Sequence, residues 1–522
     1  MTDFFTRSSR GALLAVLTSV TVLATACTAG PAPGPKVVHG DGGDAAAEAD
    51  ANRLPTLSAP ERDLNYSDCG SKLADKYDVD APDTVQLDCA AFQVPVNPDD
   101  PDSAPLLITV VRGKLAETPA DAAPLVLTTG TDLPSSRLAM NFGSSTLAPL
   151  LAKHPIVAID RRGVGQSAPV DCLTSEQRST IINDGASGSR DVEARTTALA
   201  KAAREGADIC NDTLEPDQLK YATVDAAADI EQLRARWQVD RIGIVGVGQG
   251  SSVALAYQAR HPGNVGRLIL DSPIGLNTQA APAAAATAAG VQNSLSTFAR
   301  RCTDVGCSLG SDGRSMLNRL IAAGASGALP GLSDTSILTA ITTALAVGPT
   351  DPDGLKKLAD AISAADRGNA DALKDLAAAS RSLRDTDGQL LSRCNDMLGR
   401  PGLADIPKLA RTWGADAPMT ANSAALSLAR CDGWGNAGAA PAPSSFPIPP
   451  LVLLGLNDPI NGLKSAEALT PLLVTTGAEP VSVSWDGLGY SVLTRSECAA
   501  QLVVDYLGDE RLTGPAERAC PA

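Results

Sequence analysis

Two regimes of apolar and polar spacing divide the chain. Between residues 61 and 273, short apolar runs alternate with segments of helical period, the pattern of a sheet flanked by helices. Residues 86–96 and 106–111 predict an opening pair of strands. Residues 124–128, 156–159, 242–245 and 268–270 predict four more, and in 224–237 the spacing of Ile230, Leu233 and Trp237 predicts a helix packed on them. From about 275 to 445 the strand signals vanish, and the chain becomes Ala-rich and helical with Pro and Gly breaks. Residues 450–455 and 481–485 then restore two strands. Two strands cannot make a domain alone, so the pattern predicts one α/β core, residues 61–274 and 446–522, carrying an inserted helical cap at 275–445.

The N-terminal residues break the pattern in another way. Arg7 and Arg10 precede an apolar stretch at 12–24 and small residues up to Cys27, which reads as an export signal over 1–26 and is too short for an ordinary membrane span. Residues 24–26 fit an ordinary signal-peptidase site, whereas residues 23–27 resemble a lipobox that would place a lipid on Cys27. The chain has 11 cysteines, and assigning Cys27 to a lipid leaves ten for five bridges in an oxidising compartment. These fall into five neighbouring pairs, Cys69 with Cys89, Cys172 with Cys210, Cys302 with Cys307, Cys394 with Cys431, and Cys498 with Cys520, with the connectivity left open by the sequence. Residues 27–60, rich in Ala, Gly, Pro and Asp, are expected to be a flexible tether holding the protein to the outer face of the membrane; a soluble secreted form is the alternative.

Of 522 residues 44% are hydrophobic, enough for a large core, but only 3% are aromatic, which suits an Ala-rich helical layer around Val, Ile and Leu strands. The net charge of −16 excludes the basic footprint a nucleic-acid partner would need. No cofactor or metal is expected: His39, His154 and His261 have no metal-ligand spacing around them.

The richest segment is 241–273, RIGIVGVGQGSSVALAYQARHPGNVGRLILDSP: a strand, a Gly-rich turn, a helix and a second strand ending at Asp271. Such a turn fits a nucleophile elbow, G-x-S-x-G, in which a strained strand-to-helix turn lifts a serine over the sheet. Here its central position is Gly248. It also fits a dinucleotide fingerprint built on Gly246, Gly248 and Ser251 with Asp271 as the ribose acid, but the third glycine is missing and the acid lies 25 residues beyond Gly246.

Together with its surroundings, this segment resembles the exported tripeptidyl-aminopeptidase-like, proline-iminopeptidase-related α/β-hydrolases of actinobacteria. The resemblance runs from about Cys69 to Cys520 and rests on the order of CAAFQVPVNPDDP (89–101), AIDRRGVGQSAPVDC (158–172), YATVDAAADIEQLRARW (221–237), the elbow, the cap segments 298–307 and PTDPDGLKKLADAI, CNDM (394–397), PPLVLLGLNDPI (449–460) and GLGYSVL (487–493). It implies an α/β-hydrolase fold and release of short peptides from N-termini. It also implies where the catalytic residues would stand: the nucleophile at Gly248, the acid at Asp458, the histidine at Tyr490, and the oxyanion hole near Gly130, Thr131 and Gln249. Only the acid is retained. A triad without its nucleophile loses about 10⁶ in rate, and a phenol with a pKa near ~10 is a poor general base at neutral pH.

Ser251 and Ser252 are the candidates for a displaced nucleophile, although no histidine is placed to serve either. Asp160 and Arg161 read as structural, and Asp458 as an acid that caps the loop after its strand. These readings lead to a surface-anchored pseudo-hydrolase that holds a peptide or acyl ligand or an envelope protein partner. An active peptidase or esterase is the alternative.

Overall fold

The strands predicted from short apolar runs all form, and two more join them at the edges. In chain order they are β1 (Ser67–Asp68), β2 (Gln86–Pro95), β3 (Pro105–Lys114), β4 (Leu125–Thr128), β5 (Ile156–Ile159), β6 (Ile242–Val247), β7 (Val265–Asp271), β8 (Leu451–Asn457), β9 (Val481–Leu488) and β10 (Ala516–Cys520). The computed structural model describes residues 54–186, 189–508 and 511–522. The expected export signal, Cys27, His39 and the tether up to residue 53 lie outside the described residues.

The ten strands make one sheet in the order β1-β2-β3-β5-β4-β6-β7-β8-β9-β10. Pairings from β1 through β3 to β5 are antiparallel, and those from β5 through β4 to β10 are parallel. Because both faces are covered, β4, β5, β6 and β7 are buried along their whole length. The two-residue period sorts their side chains. Leu125 and Leu127 face a core with Val245, Leu451 and Val483, whereas Val126 faces the opposite core with Ile244, Leu268 and Trp237.

Five helices position the site and its cap: α1 (Thr223–Trp237), α2 (Gly250–Arg260), α3 (Ala280–Val305), α4 (Asp334–Val347) and α5 (Asp387–Asp396). Ile230, Leu233 and Trp237 of α1 are buried against the sheet at the predicted spacing. Between β7 and β8 the described chain forms helices and connecting loops but no strand of the sheet, and this segment carries its own apolar core around Leu295, Phe298, Ile341 and Ile362. All five cysteine pairs are bonded as neighbours.

Two differences from the sequence reading have simple causes. The tether was expected to reach residue 60, but Leu54 is only 3% exposed, and Leu57 packs where side chains on Gly243 and Gly266 would otherwise stand. Isolated leucines in a Pro- and Ala-rich stretch show no period, so only the groove that receives them reveals their role. The tail strand β10, largely polar and exposed, is set beside β9 by parallel pairing and by the Cys498–Cys520 bridge rather than by an apolar run.

Candidate functional site

The site is built at the C-terminal edge of the parallel strands. From β4 the chain moves to β5 on one side and returns to β6 on the other, so the loops after β4 and β6 diverge from a topological switch point, where open α/β sheets form their crevice. Thr128 pairs with Gly246 and Val247 with Asp271, which aligns the strand ends below it.

The turn after β6 has the geometry of an elbow. Gly248 has φ of +55° and its N–H donates to the Asp271 carbonyl at 2.8 Å. Gly246 and Gly250 are required by contact: a Cβ on Gly246 would stand 2.8 Å from the Gly250 carbonyl, and one on Gly250 would overlap the Thr128 carbonyl. The glycines thus let α2 approach β4 and β6 closely.

What fills the space above Gly248 was not foreseen. A Cβ built there would overlap Oδ2 of Asp132 and lie 2.6 Å from Nδ2 of Asn461 and 2.8 Å from the Tyr490 hydroxyl. These groups form one cluster. Oδ2 of Asp132 accepts the Gln249 backbone N–H at 2.9 Å, the Asn461 amide at 2.7 Å and the Tyr490 hydroxyl at 3.1 Å. The N–H that follows a nucleophile in an elbow ordinarily faces an oxyanion. Here a carboxylate of the same chain occupies it. Burial, and then Asp132, pushes the Tyr490 phenol well above its usual range, so Tyr490 serves as a hydrogen-bond donor.

Of the expected oxyanion residues, Gly130 and Gln249 meet. Gly130, at φ +60°, lies against Gln249 closely enough that a Cβ would be 2.7 Å from the Gly250 N. Thr131 presents its carbonyl to the cap, accepting from Gln389 Nε2 at 3.0 Å and Arg393 Nη2 at 2.7 Å.

Asp458 ends β8 as a loop cap: Oδ1 accepts the Ile460 N–H at 2.8 Å, and Oδ2 has no partner. Burial, opposed by that N–H and reinforced by Asp132, pushes its carboxyl up to about 8. Asp271 is engaged by the loop after β9. It accepts Val492 N–H at 2.9 Å, Leu493 N–H at 3.0 Å and the Ser491 hydroxyl, leaving no oxygen for a ribose.

Ser251 is also engaged, donating to the Gly248 carbonyl at 2.6 Å and accepting the Ile274 N–H at 3.2 Å; Ser252 is buried in the same helix. Neither described histidine is at the site. His154 Nδ1 contacts the Ala123 carbonyl at 2.9 Å, and His261 Nδ1 lies 4.0 Å from Glu231. Asp160 holds Ser136 and Gln166, as a structural residue would. Arg161 does more than expected. It bonds Asp396 of α5 at 2.9 Å and Gln249 at 3.4 Å, tying cap to elbow. Among the described residues no cluster of side chains is suited to a metal ion.

A cavity of about 410 Å³ opens from this cluster toward the cap, within the range of small-molecule sites. Asp132, Gln249 and Asn461 stand at its base. Ala283, Ala284, Ala288 and Val291 of α3 form an apolar wall, and Arg384, Arg393 and Arg430 line another side. Asp132 and Asn461 carry no motif of their own, and the arginines lie far from the elbow in sequence. A polar residue soon after the glycine of the β4 loop was the one available signal.

The α/β hydrolase fold family matches residues 135–311, and the TAP-like protein family matches residues 417–520. Serine protease Hip1 of Mycobacterium tuberculosis (strain ATCC 25618 / H37Rv) is 25% identical over 230 residues, 43% of each chain. Tripeptidyl aminopeptidase of Streptomyces lividans is 29% identical over 132 residues, 25% of this chain and 24% of that one. The chain thus spans less than half the length of these curated relatives. A crystal structure of proline iminopeptidase from Mycobacterium smegmatis aligns with 80% of this chain and 97% of its own at 13% identity and a TM-score of 0.36. Strand order, the turn after β6 and the two family matches together place this chain among the α/β-hydrolase-fold proteins.

Proposed function

We propose that this protein is a non-catalytic relative of the tripeptidyl-aminopeptidase-like hydrolases, exported and held on the cell envelope by a lipid on Cys27, which retains a peptide or acyl ligand beneath its cap or engages an envelope protein partner. The observation that carries this reading is the position of the Asp132 carboxylate, in the volume a nucleophile's side chain would fill and on the N–H an oxyanion would need. Both requirements of covalent acyl transfer, an attacking group and a vacant donor for the developing charge, are met by nothing at this elbow. The cavity remains, and with it the capacity to bind. Five disulfides support an oxidising compartment.

The relatives are named as a serine protease and an aminopeptidase, which favours the opposite reading of an active peptidase. Treatment of the full chain with a fluorophosphonate probe separates the two. No labelling is expected. Labelling abolished by Ser251→Ala or Ser252→Ala would establish a serine hydrolase with a displaced nucleophile.

A further inference from the structure

Three arginines and three aspartates line the cavity, but of these only Arg430 and Asp385 pair with each other. Its carboxylates are all engaged: Asp132 by its three donors, Asp396 by Arg161 at 2.9 Å, and Asp385 by Arg430 at 3.5 Å, which also pairs with Asp184 at 2.6 Å. Arg384 and Arg393 are bonded only to neutral oxygens. Arg384 donates to the hydroxyls of Thr342 at 3.1 Å and Thr343 at 3.4 Å, and its buried Nε has no partner. Arg393 donates to the Thr131 carbonyl, and among the described residues no carboxylate lies within ion-pair distance of either guanidinium. Arg393 is half-buried and lines the cavity.

Burial lowers the Arg393 guanidinium to about 10, with Asp385 opposing and Arg384 adding to the fall, so it remains a cation at neutral pH. Asp385 and Asp132 act on Arg393 only from beyond bonding distance, so both guanidiniums keep donors open to an anion, and each offers a planar fork suited to a carboxylate. The elbow N–H, the other natural seat for an anion, is closed by Asp132. The α3 lining is alanine and valine apart from Thr287.

We propose that the cavity binds a small apolar molecule through its carboxylate, which Arg384 and Arg393 hold while the apolar body lies along α3. This deepens the ligand-holding reading above and rests on it. The shared chemistry, a carboxylate on an apolar body, is met by an acyl chain or by the C-terminus of a short peptide.

Isothermal titration of the full chain with octanoate, with acetyl-trialanine and with the amide of each tests the proposal. At least one acid is expected to bind, with its amide tenfold or more weaker, and the acid that binds identifies the source. Arg384→Gln is expected to weaken the acid tenfold and leave the amide unchanged. Arg393→Gln should do the same, and if it unfolds, Arg384→Gln, which gives up only hydroxyl partners, decides alone. An amide that binds as well as its acid, or an acid indifferent to Arg384→Gln, overturns the carboxylate assignment while leaving a ligand-holding protein. Silence from all four molecules overturns it as well, and the fluorophosphonate result judges the non-catalytic reading independently.

Discussion

Asp132 Oδ2 sits 2.9 Å from the Gln249 backbone nitrogen and accepts its hydrogen, so the strand-to-helix turn of this protein holds its own anion. That one bond joins the loop after β4 to the loop after β6. With Asn461 and Tyr490 it draws in the loops after β8 and β9 as well, and four strand ends are closed over a glycine.

Introducing serine and histidine alone is therefore not expected to confer serine-hydrolase chemistry. In the Gly248→Ser, Tyr490→His variant the new side chain meets Asp132 and takes a left-handed backbone conformation. A loss of about 2–4 kcal/mol in stability is expected, from displaced charge-assisted hydrogen bonds and backbone strain. Fluorophosphonate labelling should stay absent until Asp132→Gly is added, and labelling of the double variant would show that Asp132 is no obstacle.

The pH dependence of stability should carry the mark of Asp458. Its folded carboxyl, at about 8, lies far above the roughly 3.9 of an unfolded aspartate, so between these values the folded chain holds a proton that the unfolded chain releases. Stability from this group is full below about pH 4 and falls as pH rises toward 8, by up to ~1.4 kcal/mol per unit. Asp458→Asn does not titrate, and the neighbouring Asp132, Asp271 and Tyr490 remain in both proteins. Urea denaturation at pH 5, 6.5 and 8 should show the variant gaining on the parent as pH rises; a constant difference would contradict the assignment.

Asp271 is expected to act as the clamp of the loop after β9. In Asp271→Asn the new amide faces the Leu493 N–H and the Ser491 hydroxyl that Oδ2 now accepts. Two donors would then meet without an acceptor, at a cost of about 2–4 kcal/mol. Hydrogen exchange should quicken at Leu493 before the rest of the sheet, which a purely global loss would not produce.

The Cys394–Cys431 bridge joins α5 to a residue that lines the cavity and closes a loop of 37 residues. Replacing both cysteines by alanine should lower stability by about 4 kcal/mol on the chain-entropy account. Octanoate or acetyl-trialanine, whichever the parent binds, should weaken in parallel, because Arg393 stands beside Cys394 on α5. Unchanged affinity would place the ligand away from this wall.

Periodicity along the chain determined most of the fold. The central strands are apolar along their length because both faces are covered, and α1 buries the residues its spacing selected. The elbow was equally legible, since close approach of helix to strand demands glycines at fixed offsets. The identities at the two positions the resemblance singles out, glycine at 248 and tyrosine at 490, are likewise read directly from the sequence.

What surrounds those two positions had to come from tertiary structure. Asp132, Asn461 and Tyr490 lie in loops separated by 329 and 358 residues from Asp132, and only the order of strands in the sheet brings them to one point. The same holds for Arg384 and Arg393, whose lack of a carboxylate partner depends on where Arg161 and Arg430 place their own bonds. Local sequence sets the period of an element and the conformation of a turn. Charge pairing across a cavity is a property of distance in space, which the sequence carries only through the fold.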